Sequence, residues 1–252
     1  MTGTLDGFDH VETWVFDLDN TLYPADCNLF AQIDQRMGEF IANAFGLPLD
    51  EAQTLRQSYY VEHGTTLAGL MRLHDICPNS FLDYVHDIDL DAVSPAPELG
   101  AAIDALPGRK FVFTNGSRQH AEAVAGRLGL LDRFEDIFDI HALEYIHPKP
   151  SREAYDRFVA AHGVAAASAA MFDDLAHNLE AAHALGMTTV LVDCRTTQRP
   201  EHQASTGWTE LPAHIHHRTE ALAPFLAAIG ATLAGETDRT AAPILQAQFC
   251  LT

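Results

Sequence analysis

Five short apolar runs constrain this chain more than any other feature: Thr13 to Asp17 (TWVFD), Lys110 to Thr114 (KFVFT), Asp136 to Ile140 (DIFDI), Ala169 to Asp173 (AAMFD) and Thr188 to Asp193 (TTVLVD). Four of the five close on an aspartate or a threonine, where a strand would hand over to a loop. From residue 110 onward the runs alternate with helical spacing, as in Ala121, Val124, Leu128, Leu131 and in Tyr155, Phe158, Val159, His162. Strand, helix, strand repetition implies right-handed crossovers and a parallel sheet covered on both faces.

More than ninety residues separate the first run from the second, too many for one crossover helix. Leu29, Ile33, Met37, Phe40, Ile41, Ala44 and Phe45 recur at helical spacing, and further helical stretches run from Leu49 to Val61 and from Leu67 to His74. The expected fold is therefore an α/β doubly wound parallel sheet, Rossmann-like, with an inserted helical cap. The core would comprise residues 1–22 and 95–229, and the cap residues 23–94. Tyr23-Pro24 and Ser94-Pro95-Ala96-Pro97 are expected as stiff linkers, because proline fixes φ and biases the preceding residue toward extended forms. Residues 230–252, rich in Ala, Thr and Gly, are expected to form a poorly ordered tail.

Charge removes several function classes. Fifteen Lys and Arg against 35 Asp and Glu leave a formal net charge of −20, which disfavours binding to a nucleic-acid backbone. A small phosphate ester remains compatible if a metal ion and one or two cations reverse the field locally. No apolar run approaches the ~20 residues needed to cross a bilayer, and Met1 to Glu12 has neither a basic nor an apolar signal region. Cys27, Cys77, Cys194 and Cys250 are scattered and read as reduced thiols. A cytoplasmic protein without membrane partners is the expectation; oligomeric state is not readable from these features.

The residues able to do chemistry cluster at strand ends. Asp17-Leu18-Asp19-Asn20-Thr21 follows Trp14-Val15-Phe16. Two like charges ~4 Å apart at an effective dielectric of ~20 repel by about 4 kcal/mol, which a divalent cation would relieve. The competing reading is a turn and helix N-cap. A calcium loop starting at Asp17 fails, because Leu22 stands where Gly is required and Asn28 where Glu is required. Thr114-Asn115-Gly116-Ser117 offers a hydroxyl and backbone N–H groups to a phosphate oxygen, or simply a turn. Lys149 stands between Pro148 and Pro150, held in an extended segment or solvated at the surface. Phe172-Asp173-Asp174 ends another strand with a second acid pair, more acid than a cap needs. In a parallel sheet these exits share one edge, where ligands of doubly wound folds bind.

Asp17-x-Asp19-x-Thr21, Thr114-Asn115, Lys149 and Asp173-Asp174 match in order and spacing the four motifs of the haloacid dehalogenase superfamily of phosphotransferases, which the chain resembles over residues 12 to 226. The insert is similar to the helical cap of the type 1 subclass. The segments DLDNTLYP at Asp17 to Pro24, GTTLAGL at Gly64 to Leu70, VHDID at Val85 to Asp89 and PGRK at Pro107 to Lys110 resemble the pyrimidine 5′-nucleotidase group. Position 173 carries Asp where relatives often have Glu.

The resemblance implies a Mg²⁺-dependent phosphomonoesterase acting on a small phosphate ester, a pyrimidine nucleoside 5′-monophosphate such as UMP or CMP. Asp17 would be the nucleophile and Asp19 the acid and base. Thr114, Asn115 and Lys149 would hold the phosphate, and Mg²⁺ would sit on Asp17, the Asp19 carbonyl, Asp173 and Asp174. Tyr23, Tyr60, His63, Thr65 and Thr66 are candidates for choosing the substrate. Other small esters, such as phosphocholine-like or sugar phosphates, and a non-catalytic binding protein on the same fold stay open. His214, His216 and His217 are read as surface histidines, and His177 as either close to the metal site or part of a first helical turn.

Overall fold

The computed structural model describes residues 7–193, 208 and 210–240. Among these residues six strands form one sheet: β1 (Thr13–Phe16), β2 (Arg109–Phe113), β3 (Asp136–Phe138), β4 (Ala169–Asp173), β5 (Thr188–Val192) and β6 (His217–Thr219). Their order is β3-β2-β1-β4-β5-β6, and every pairing is parallel. The earliest strand thus lies inside the sheet, with Phe16 level with Val112 of β2 and with Phe172 of β4.

Strand geometry sends successive side chains to opposite faces, so a strand buried on both sides is apolar throughout. All four residues of β1 are buried. Trp14 and Phe16 join Leu99, Ile103, Val124 and Leu226 on one face, whereas Val15 joins Tyr155, Phe158 and Leu179 on the other. The first face is covered by α5 (Pro97–Asp104), α6 (Arg118–Leu128) and α9 (Leu222–Thr240), the second by α7 (Arg152–His162) and α8 (Asn178–Ala184). This is the expected doubly wound, Rossmann-like arrangement. Gly108 makes the approach of β2 possible: its φ is +78°, and a Cβ there would lie 2.1 Å from the Glu12 carbonyl oxygen.

Four helices occupy the insert: α1 (Leu29–Phe45), α2 (Leu49–His63), α3 (Thr66–His74) and α4 (Pro78–Val85). α1 closes at Gly46 in the left-handed conformation, Thr65 caps α3 by accepting the Ala68 N–H, and Pro78 opens α4. Their apolar faces meet around Ile33, Ile41, Tyr59, Leu70 and Phe81, continuous with the core on the Val15 side of the sheet. Gly69 lets α3 lie close to α2, since a Cβ there would come within 2.6 Å of Tyr59 Cβ.

Several sequence expectations change in detail. β3 stops at Phe138 instead of Ile140. Pro97 is the first residue of α5, so the exit linker is shorter than Ser94 to Pro97. The expectation of a loose tail beginning at Gly230 is corrected at its start: α9 runs through to Thr240, with Ile229 buried and Gly230 against Ala105 of the α5 end. Residues 241–252 and Cys194 lie outside the described residues. His214 and His217 are half-buried and His216 is exposed, so all three lie at the surface as expected, each with a local contact. His216 Nδ1 is 2.8 Å from Thr189 Oγ1, His217 packs on Phe8 at 4.7 Å, and the His214 carbonyl accepts the Thr189 hydroxyl. Among the described residues, no helix is long and apolar enough to cross a membrane.

Candidate active site

The C-terminal ends of β2, β1 and β4 lie side by side, and each supplies a functional group there. Asp17 follows β1, Thr114 follows β2, and Asp173 ends β4 with Asp174 next to it. Lys149 arrives from the segment between β3 and α7 and is 1% exposed. Its ammonium donates to Asp17 Oδ1 at 2.7 Å and to Asp173 Oδ2 at 2.8 Å. The Asn115 side chain holds that segment by donating to the Lys149 carbonyl at 3.0 Å and accepting the Lys149 N–H at 2.9 Å. The lysine is therefore buried and doubly paired, not solvated.

Each carboxylate is further oriented. Asp17 Oδ2 accepts the Thr21 hydroxyl at 3.1 Å. Asp173 Oδ1 accepts from the Leu175 N–H and from Asn178 Nδ2, both at 2.9 Å, so both its oxygens are engaged. Asp19 Oδ1 accepts the Tyr23 hydroxyl at 2.7 Å and lies 2.8 Å from His120 Nε2. Thr114 Oγ1 accepts the Gly116 N–H at 2.9 Å, closing the turn expected of it while leaving the hydroxyl proton able to donate.

Burial pushes the Asp17 carboxyl well above the ordinary carboxylate range. Lys149 opposes that rise, and Asp173, Asp174 and Asp19 reinforce it. At Asp19 burial also acts upward, but His120 and the hydrogen bonds from His120 and Tyr23 outweigh it and hold the carboxyl below its usual value. Lys149 is desolvated too, yet Asp17 and Asp173 raise it and keep it charged.

Asp17, Asp173 and Asp174 are the group of three candidate ligands, among the described residues, whose oxygens lie within 4.8 Å of one another. All three are buried, and their donor atoms are all oxygen. Three anions facing one lysine leave negative charge to neutralise, and an oxygen-only set suits a hard divalent cation. The residues present fit such an ion.

One cavity joins this edge to the insert. The core contributes Asp17, Asp19, Thr114, Asn115, Lys149 and Asp174. Across from them the insert presents an apolar surface that includes Phe30, Ile33, Met37, Phe81 and Val85. Arg56 and Asp34, paired at 3.1 Å, are polar groups within that surface. Of the cap residues singled out in the sequence, Tyr60, Thr65 and Thr66 line the cavity. Tyr23 does not; it is buried with its hydroxyl turned to Asp19. His63 does not either: it packs against Tyr59, and its Nε2 is buried without a hydrogen-bond partner. His177 Nε2 faces Tyr60 at 3.4 Å, across from the insert.

Sequence reasoning passed over four groups that the structure brings to the site: the Asn115 side chain, Asn178, His120 and His86. Asn178 was the one with a readable signal, because an Asn five residues after Asp173 at a helix start can reach back to it.

Comparison with known proteins agrees with this geometry. A family model described as haloacid dehalogenase-like hydrolase matches residues 11–186. The chain is 28% identical over 196 residues to Phosphate metabolism protein 8 of Saccharomyces cerevisiae, a match covering 71% of this chain and 61% of that protein. It thus spans less than two thirds of that relative. Among solved structures, L-2-haloacid dehalogenase from Xanthobacter autotrophicus superposes with a TM-score of 0.52 at 15% identity, covering 89% of this chain and 99% of that one. A HAD phosphatase from Thermococcus onnurineus gives 0.53 at 19% identity, covering 84% and 94%. At these identities the two structures speak for the fold.

Proposed function

The chain belongs to the haloacid dehalogenase-like hydrolase family, and on that premise we propose that it hydrolyses phosphate monoesters through an aspartyl-phosphate at Asp17, with pyrimidine nucleoside 5′-monophosphates as its substrates. The observation that carries this reading is the paired Asp17 carboxylate at the end of β1, facing a cavity shared with Asp19, Thr114 and Asp174.

Asp17 attacks phosphorus. A carboxylate is a weak nucleophile, so its strength here is placement: Lys149 and Thr21 fix one oxygen each and aim the group at one line of attack. Lys149, the Thr114 hydroxyl and the backbone at Asn115 hold the phosphoryl oxygens as charge shifts among them. Asp19 gives its proton to the departing oxygen and afterwards takes one from the water that cleaves the aspartyl-phosphate. Asp17, the Asp19 carbonyl, Asp174 and Asp173 would hold a Mg²⁺ ion, which would neutralise charge as two anions approach. Asp173 also anchors Lys149 and the start of α8.

Asp19 favours a phosphatase over carbon–halogen cleavage, in which the departing halide needs no proton. The insert is read as a cap of the type 1 subclass. Its apolar surface suits the faces of a flat ring, and Arg56 with Asp34 offers a donor and an acceptor for a ring edge. The name of the yeast relative, Phosphate metabolism protein 8, accords with phosphate chemistry.

The test is phosphate release from UMP, CMP, dTMP, AMP, GMP, phosphocholine and an aryl phosphate, with Mg²⁺ and with EDTA. Pyrimidine preference abolished by EDTA is the expected result; metal-dependent release without that preference would discard the substrate class. Asp17→Asn is expected to stop turnover while unfolding at an unchanged temperature or higher. Undiminished turnover by that variant would overturn the mechanism.

A further inference from the structure

Asp19 is held from one side only. Both of its neighbours, the Tyr23 hydroxyl at 2.7 Å and His120 Nε2 at 2.8 Å, meet the same oxygen, Oδ1. Oδ2 is turned toward the Thr114-Gly116 turn, 3.7 Å from where a Gly116 Cβ would stand. Two contacts on Oδ1 fix the rotation of the carboxyl group and leave Oδ2 as the oxygen available to carry a proton into the cavity.

His120 is itself held from outside its own helix. It is 3% exposed on α6 of the core, and its ring stacks on His86 with centroids 4.4 Å apart and planes within 9°. His86 belongs to the insert, directly after α4. Its Nδ1 lies 2.9 Å from the hydroxyl of Ser117, the residue that caps α6. His86 also borders two spaces, the reaction cavity on one side and, with Ser117 and His120, a cleft between insert and core on the other. One line of contact therefore runs from the insert through His86 and His120 to Oδ1 of Asp19.

We propose that His120 is a positioning residue for Asp19 and that His86 completes its support from the insert, so that Oδ2 is aimed at the departing oxygen only while the insert is seated on the core. This rests on the reading of Asp19 as acid and base. In the first half-reaction the Asp17 oxygen bonds phosphorus as the bond from phosphorus to the ester oxygen breaks. The electron pair leaves with that oxygen, which takes the proton from Asp19 Oδ2. In the second, water oxygen bonds phosphorus, the Asp17 oxygen departs, and the water's proton passes to Asp19. Misplacing Oδ2 harms the first step in proportion to the departing oxygen's need for that proton.

The experiment is single-turnover release of the alcohol by the Mg²⁺-loaded full chain, with phenyl phosphate, whose phenolate needs a proton, and p-nitrophenyl phosphate, whose phenolate does not. His120→Ala is expected to slow phenyl phosphate by about 100-fold and p-nitrophenyl phosphate by less than about 5-fold. His86→Phe, which keeps a ring on His120 but breaks the tie to Ser117, is expected to show the same selectivity at about 10-fold. His120→Gln, with an amide nitrogen near the place of Nε2, should recover most of the loss. Asp19→Asn is the control and should be selective for phenyl phosphate. If it slows both esters equally, the reading of Asp19 fails. If it is selective while His120→Ala and His120→Gln slow both esters equally, the positioning role is overturned. Wild-type rates on both esters in His86→Phe would overturn the insert's part.

Discussion

Replacing Lys149 by methionine keeps much of the side-chain volume and removes the charge on which the buried carboxylates depend. At an effective dielectric of about 20, a contact of 2.7 or 2.8 Å corresponds to roughly 6 kcal/mol of attraction, so Lys149 draws on Asp17 and Asp173 by about 12 kcal/mol in all. Three carboxylates with oxygens within 4.8 Å repel by about 3.5 kcal/mol per pair, about 10 kcal/mol together. The two sums nearly cancel, and without the lysine only the repulsion remains. Proton uptake limits the damage, so the expected loss is about 3–5 kcal/mol, the usual range for breaking a buried ion pair. At about 2–4 °C per kcal/mol for a chain of this size, that is a fall in Tm of about 10 °C in EDTA. Added Mg²⁺ should then stabilise the variant more than the wild type, because a cation would take up part of the lysine's electrostatic role. The assay is thermal unfolding of both proteins with EDTA and across a Mg²⁺ titration. An unchanged Tm in EDTA would refute the charge balance described above.

Two further outcomes follow from local geometry. Gly108→Ala should cost about 2–3 kcal/mol, read from the denaturant midpoint, because a left-handed φ of +78° and a Cβ 2.1 Å from the Glu12 carbonyl both oppose a side chain there. His86 concerns acid stability. Burial lowers its pKa from 6.5 to about 3, with His120 acting the same way and Asp19 against it. Between those values the unfolded chain holds a proton that the folded one does not, so the stability contribution is complete above pH 6.5 and is lost as pH falls toward about 3. His86→Phe should flatten that part of the acid-unfolding profile, and an identical profile would count against a neutral imidazole at position 86.

The fold was legible where burial left a plain mark. TWVF and AAMFD are apolar without alternation because their strands are covered on both faces, so the central strands and their acidic ends could be read directly. Lys149 stood out for its two prolines, but its pairing with Asp17 and Asp173 was not readable from them. β6 was invisible because an edge strand has one neighbour, and His217–Thr219 carries half-buried polar residues instead of an apolar run. α4 was missed because it is only eight residues long, although Phe81, Leu82 and Val85 give it a clear apolar face. Tyr23 was read as a substrate contact, whereas its spacing of four from Asp19 brings its hydroxyl back to that carboxylate. His86 entered the sequence reading only within the VHDID segment, and His120 was given no role. Their stacking joins residues 34 positions apart and belongs to tertiary structure alone.

The inner position of β1 has a consequence for the order of assembly. Thr13 pairs with Arg109, 96 residues later, and with Ala169, 156 residues later. A nascent chain therefore exposes the Trp14-Val15-Phe16 run long before either partner strand exists, while the four insert helices, whose contacts are mostly local, can form in the interval. The sheet edge that carries Asp17, Thr114 and Asp173 cannot close until β4 has been synthesised. The central strand of this sheet thus stays unpaired on at least one side through the whole interval between the synthesis of β1 and that of β4.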